Sequence, residues 1–475
     1  MTRTSRLVII LLLFNAFAIA QKTKPEVFKS IDANADLYSG IAQKIWNFAE
    51  VGFQETQSSA LLQQTLKDAG FQVEPGVAGM PTAFIATYGS GKPVIGILGE
   101  FDALPGVAQE AVPELKPIAG QKAGHACGHH LFGTASSAAA IAVKDWLIAN
   151  KKSGTIKFFG TPAEEGGSGK VYLVRDGFFS GVDVVFHWHP SSRNSAAYGS
   201  SLSNKSGKFR FYGVASHAAA SPERGRSALD AVEAMDAMVN MLREHVNEQT
   251  RIHYVITRGG EAPNVVPAFA EVYYYVRHPD IVEVKSTWER VTKAAQGAAL
   301  GTDTRFESEV TGGVYNLLPN ETLAKIMDEN LRAVGGYVYS PPEKEFAQKI
   351  QQTFSNKPAL ESTNEIEKFG PDDNKGGSTD VSDISWVVPT AGLGTATWVP
   401  GTAAHSWQAV ASGGMSIGKK GMIVAAKTLA GAMMDAFSNP AVIEAAWKEL
   451  KKRTGENFKY EPLIGDRKPA LDYRK

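Results

Sequence analysis

Cysteine is almost absent from this chain. Among 475 residues there is one, Cys127, so no disulfide can close within the molecule, and the bridged framework used by many exported domains is excluded. Excess charge is missing too: 49 Lys and Arg face 49 Asp and Glu, a formal net charge of zero. That excludes nucleic-acid binding driven by bulk charge, though not a local basic pocket. Internal repeats and low-complexity tracts are absent. A long apolar run occurs only at the N-terminus, where MTRTSR supplies Arg3 and Arg6, LVIILLLFNAFAIA follows, and Ala18-Ile19-Ala20 precedes Gln21. A basic start, a short apolar stretch and a small-x-small site follow the order of a secretory signal peptide. The run is shorter than the roughly 20 residues of a membrane span. The expectation is an exported, periplasmic protein cut after Ala20, with no stable membrane anchor; an uncut anchor helix is the alternative.

What is present has the alternation of an α/β protein. PVIGILGEF (93–101) is a short apolar strand running into a loop, and TIKFFGTP (155–162) and VDVVFHWHP (182–190) are again strands of buried type. Residues 36–50, 55–69 and 131–149 have helical spacing, the last rich in Ala and Ser for close packing. This order predicts a mostly parallel sheet. From about Ser203 the pattern changes. Strands over 207–217, 251–257, 268–279 and 304–313, with helices over 227–246 and 282–299, give the strand-helix-strand-strand-helix-strand order of a ferredoxin-like α+β unit. Helical patterning resumes at Asn320, so that unit is inserted. The division is a signal peptide at 1–20, one domain made of 21–203 and 317–475, and an inserted domain at 204–316. A polar surface loop is expected over 355–377 and a long final helix over 413–437.

Four stretches gather ligand-type side chains at strand ends or in small-residue loops: GHACGHH (124–130), TPAEEGG (161–167), FHWHP (186–190) and GTAAHSW (401–407). Open α/β sheets form their sites there. On a tight glycine turn before a helix, Cys127 and His129 can face one point, and thiolate with imidazole suits zinc and its neighbours. A buried apolar filler is the commonest role of a free cysteine, and an intermolecular bridge is another; the surrounding histidines favour a metal. Of two adjacent carboxylates in extended chain, Glu164 and Glu165, one can ligate while the other takes a proton, as metal-assisted hydrolysis requires. Two solvated loop carboxylates are the plain alternative. His187 and His189 share a strand face, so one is a candidate ligand and the other packing. Any single histidine, His405 included, is more often structural; their joint placement at strand ends is what points to metal.

With GEFDALPG, GTPAEEGGSGK, GVASHAAASPERGRSALDA, PNVVP, GSTDVSD and PGTAAHSW added, the sequence resembles the M20 metallopeptidase family, and within it the amidohydrolase branch. The resemblance implies a catalytic domain holding two divalent metal ions, zinc or manganese, interrupted by a lid that also dimerises. It implies Cys127, His129, Glu165, His189 and His405 as ligands, Glu164 as general base, and Asp102 and Asp380 as residues that orient the ligand set, with Asp383 a further candidate. Glu100 stands where the wider family has a ligand histidine, and His130 where many branch members have Asp or Asn. In the lid, His217 would support the oxyanion across a homodimer, and Asn264 and Arg277 would hold a substrate carboxylate. The implied activity is hydrolysis of the amide bond of N-acyl amino acids or p-aminobenzoyl-glutamate-like compounds, with a homologous partner subunit as a further expectation. A dipeptidase or carboxypeptidase, or a non-catalytic subunit on the same fold, are the rivals.

Overall fold

Apolar strands with no polar alternation are stable only when both faces are covered, and here helices do the covering. The computed structural model describes residues 22–372 and 377–474; the expected signal peptide and its cleavage site lie outside the described residues, as do 373–376 of the polar loop. Six strands form the main sheet, in the spatial order Gln72–Pro75, Phe84–Ser90, Gly154–Gly160, Val94–Gly99, Val184–Phe186, Thr390–Ala391. The last four run parallel and the first two pair antiparallel at the edge. Helix His129–Ala149 lies against Val94–Gly99 and helix Ser416–Ser438. It is long and apolar enough to cross a membrane by composition, yet 78% of its most apolar window is buried inside the protein.

The second sheet has the order Arg251–Arg258, Phe269–His278, Ser203–Tyr212, Arg305–Val314, antiparallel throughout. Helices Ala228–Leu242 and Ile281–Gly301 pack on it, each started by a side-chain cap: Ser227 accepts from the Asp230 amide and Asp280 from the Val282 amide. This is the expected split βαβ unit with its own apolar core, separate from that of the main sheet.

Two expectations are corrected. The helix expected over 413–437 breaks at Met415, whose extended backbone separates Trp407–Gly414 from Ser416–Ser438, and a further helix, Pro440–Thr454, follows. The break leaves the Gly413 carbonyl free to accept from His130 Nε2 at 3.1 Å. The adjacent carboxylates do not lie in extended chain. Ala163 takes a left-handed φ of 57°, Gly166 bonds back to the Glu164 carbonyl, and Glu164 and Glu165 sit in a tight turn.

Candidate active site

The parallel strands all end on one side of the main sheet, and the site is built from residues just beyond those ends. Val94–Gly99 runs into Glu100 and Asp102, Gly154–Gly160 into the Glu164–Glu165 turn, and Val184–Phe186 into His189. Cys127 and His129 come from the turn that opens helix His129–Ala149. Glycine is required in that turn: Gly128 has φ +75°, and a Cβ there would lie 2.6 Å from Pro190. His405 is delivered by a loop whose His405 amide bonds to the Ala126 carbonyl.

These side chains converge. Ligand atoms of Cys127, His129 and His189 lie within 4.8 Å of one another, as do those of Cys127, Glu165 and His405, and those of His129, Glu164 and Glu165. Cys127 belongs to two of the three groups, with Sγ 3.4 Å from His189 Nε2. Two of the histidines have their other nitrogen engaged. His129 Nδ1 faces Asp102 Oδ1 at 2.9 Å, and His189 Nδ1 donates to the Pro190 carbonyl at 2.7 Å. Both rings thus turn Nε2 inward, the tautomer a metal ligand needs. Asp102 serves a second candidate ligand too, its Oδ2 accepting from the Glu165 amide at 2.9 Å.

Several electron-rich atoms at the site make no hydrogen bond. His129 Nε2, Glu165 Oε1 and Glu100 Oε2 are buried without a hydrogen-bond partner. Glu100 Oε2 approaches His129 Nε2 to 3.0 Å, and His405 Nε2 approaches Glu165 Oε1 to 3.2 Å, both outside hydrogen-bond geometry. Orphaned, buried, electron-rich atoms on imidazole and carboxylate, beside a thiol, are the donor chemistry of first-row divalent cations, so these residues fit a metal centre.

Charge around the site is strongly coupled. Burial, then Glu100, Glu165 and Asp380, raise the Glu164 carboxyl well above the usual carboxylate range. Burial raises the Cys127 thiol. Burial opposes protonation of His129, but Glu100, Cys127 and Asp102 outweigh it and raise that ring. The neighbouring Glu165 carboxylate raises His405. Burial pushes His187 down to about 4 and His125 down to about 3. His125 donates to the Ile45 carbonyl, His130 to the Gly413 carbonyl, and His187 lines a cavity of about 250 Å³ that meets the site at His189, so none of the three belongs to the converging ligand groups.

Sequence reading missed two supports. Lys170 is fully buried, with Nζ 2.7 Å from Glu100 Oε1 and 2.7 Å from Asp380 Oδ1, while its amide donates to Asp380 Oδ2. Glu55, also fully buried, accepts from the Ala163 amide at 2.8 Å and so supports the carboxylate turn. Lys170 ends the GTPAEEGGSGK stretch and Glu55 stands apart from the motif stretches, but nothing local to either shows the distant groups it meets.

The cleft above these residues encloses about 620 Å³, and the lid sheet supplies its roof with Tyr273, Tyr275 and Arg277. Those three alternate along one strand and so share one face. Arg277 lies over the Tyr275 ring at 5.4 Å, its Nε unpartnered. His217 and Asn264 are elsewhere. They sit together on the exposed edge of the lid, joined by the bond from the Ala218 amide to the Asn264 carbonyl, and neither lines this cleft. Asp383 also stands outside it, accepting from the Tyr315 amide at 3.0 Å and the Tyr460 hydroxyl at 2.6 Å.

Residues 201–303 match the peptidase dimerisation domain of M20 proteins. The chain is 40% identical to the B subunit of p-aminobenzoyl-glutamate hydrolase from Escherichia coli, over 90% of this chain and 94% of that protein. It is 30% identical to the Xaa-Arg dipeptidase of Mus musculus, over 91% of this chain and 93% of that protein. A dinuclear metal-binding peptidase of the M20 family from Bacillus subtilis shares the fold, with a TM-score of 0.57 at 17% identity over 86% of this chain and 99% of that one. A 40% identity sustained along nearly both whole chains places this one: it belongs to the M20 family of peptidases and amidohydrolases, and is a hydrolase of amide bonds.

Proposed function

We propose that the chain is an exported, metal-dependent amidohydrolase cleaving the amide bond of N-acyl amino acids, with p-aminobenzoyl-glutamate-like compounds as the leading substrate class. The observation that carries the catalytic part is the convergence of Cys127, His129, Glu165, His189 and His405 beneath a cleft, with Cys127 common to two ligand groups. Two divalent cations, zinc or manganese, would be held by Cys127, His129 and His189 and by Cys127, Glu165 and His405. Bound there, they would supply Lewis acidity toward the amide carbonyl and make water a nucleophile at neutral pH.

The chain's own groups do the rest. Glu164 takes the proton of the attacking water and hands it to the leaving nitrogen. Asp102 fixes His129 and the Glu165 backbone at once. Arg277 receives the carboxylate of the leaving amino acid, and Tyr273 with Tyr275 covers the adjoining part of the substrate. His217 and Asn264 act in a partner's cleft, where an imidazole aimed at the developing oxyanion gains most in the transition state. The dimer forms through the lid, whose edge strand Arg251–Arg258 exposes Tyr254, Val255 and Ile256. A homologous chain in place of a second copy is the variant favoured by the relative's naming as one subunit of a hydrolase. A dipeptidase is the second reading, favoured by the likeness to the Xaa-Arg dipeptidase.

The deciding assay uses the chain from Gln21 onward with zinc, manganese or chelator. It is offered p-aminobenzoyl-glutamate, N-acyl amino acids and dipeptides. Metal-dependent release of p-aminobenzoate that Glu164→Ala abolishes is the expected result. Preference for dipeptides would select the second reading, and no turnover by metal-loaded protein would select a non-catalytic subunit or a missing partner chain. N-terminal sequencing of the exported protein should begin at Gln21; a retained Met1 would overturn the cleavage and select the uncut anchor helix.

A further inference from the structure

The turn that presents Glu164 and Glu165 is followed at once by Gly166 and Gly167, with Gly166 at φ +93°. Two glycines give the backbone freedom and no side chains to anchor it. On its N-terminal side the turn is held by Glu55 through the Ala163 amide. On its C-terminal side the hold comes from the far end of the chain. Tyr473 donates its hydroxyl to the Glu165 carbonyl at 3.1 Å, and Arg474 donates to the same oxygen at 2.9 Å.

The segment that brings them there is well anchored. Leu463 enters the apolar core of the lid and Ile464 that of the main sheet. Arg467 donates to the Thr311 carbonyl on the last lid strand. Gln54 donates to the Leu471 carbonyl at 2.7 Å, and the Tyr473 ring meets Phe53 edge-on at 5.7 Å between centroids. The same segment walls a cavity of about 570 Å³ that shares Gly166, Tyr273, Tyr275 and Thr311 with the cleft.

We propose that Tyr473 and Arg474 are positioning residues of the active site, holding the Glu165 carbonyl so that the turn presents Glu165 and Glu164 in a fixed register. Their effect on turnover rests on the roles assigned above to those two carboxylates; the clamp itself does not. A carboxylate displaced by about 1 Å can cost on the order of a hundredfold in rate, so two bonds to one carbonyl are enough to matter.

The test uses the full mature chain carrying Tyr473→Phe, Arg474→Ala, both together, or Arg474→Lys. Tyr473→Phe keeps the ring contact and Arg474 is exposed, so the fold should survive, as the melting temperature will show. Amide hydrogen exchange across 161–169 should speed up about tenfold or more in the double variant. At saturating substrate, kcat should fall about tenfold or more with KM little changed, and Arg474→Lys should keep most of both properties. Unchanged exchange in the double variant would overturn the clamp. Faster exchange with unchanged kcat would overturn its bearing on the reaction. If the parent hydrolyses nothing, the functional reading fails while the exchange result still decides the clamp.

Discussion

Lys170 is the side chain on which the charge balance of the site turns. It stands between two fully buried carboxylates, Glu100 and Asp380, and is itself shut away from solvent. An ion pair in such a place is a weak source of stability, but removing one partner leaves uncompensated buried charge. Lys170→Met is therefore expected to lose about 3–5 kcal/mol in urea unfolding, and adding Glu100→Gln with Asp380→Asn should restore most of it. An unaffected single variant would mean that water reaches the carboxylates. At this scale the sequence is legible where residues carry motif chemistry. Cys127, His129, Glu165, His189 and His405 can be named from spacing and likeness, and the structure brings them together. The roles of Lys170, Glu55, Tyr473 and Arg474 cannot, because each acts on a residue distant in the chain, and even Lys170, at the end of GTPAEEGGSGK, has its partners far from that stretch.

Among the elements, the short helix Val381–Ser385 joins three parts of the molecule. Asp383 on it accepts from Tyr315, just past the last lid strand, and from Tyr460 near the C-terminus. Burial raises its carboxyl from 3.8 to about 7. A raised folded-state value means that the folded protein holds the proton more tightly than the unfolded chain. The resulting stability is full below pH 3.8 and is lost as pH rises through about 7. Asp383→Asn cannot ionise, and its amide can still meet both neighbours. Its stability relative to the parent should rise steadily across that window, as measured by urea unfolding at several pH values; a constant difference would show that Asp383 titrates normally. Strands and long helices are legible from apolar runs and period. The Met415 break and the Glu164–Glu165 turn are not, since each depends on one residue's backbone angles, which tertiary contacts settle.

For the whole molecule, the position of His217 and Asn264 decides the expectation. Both lie on the exposed edge of the lid, outside the cleft of their own chain. If they serve a partner, Glu164→Ala and His217→Ala should each be inactive alone and regain part of the activity when mixed and allowed to exchange subunits. Mixed dimers then contain one cleft with an intact Glu164 and a donated His217. No recovery, with exchange shown by a labelled protomer, would place His217 outside catalysis. The inserted unit is legible from its strand-helix order, whereas the C-terminal segment that ties both cores together is not, because residues 455–474 show no period.

That segment also bears on how the protein can be handled. Arg474 donates to the Glu165 carbonyl and lines the cavity that adjoins the cleft. An affinity tag or fusion partner joined directly after Arg474 would start beside the Glu164–Glu165 turn and pull on the two donors that hold it. A tag placed before Gln21 would be removed with the leader if export proceeds as proposed. A handle is better placed in the loop between Ala228–Leu242 and Arg251–Arg258, none of whose residues lines the cleft.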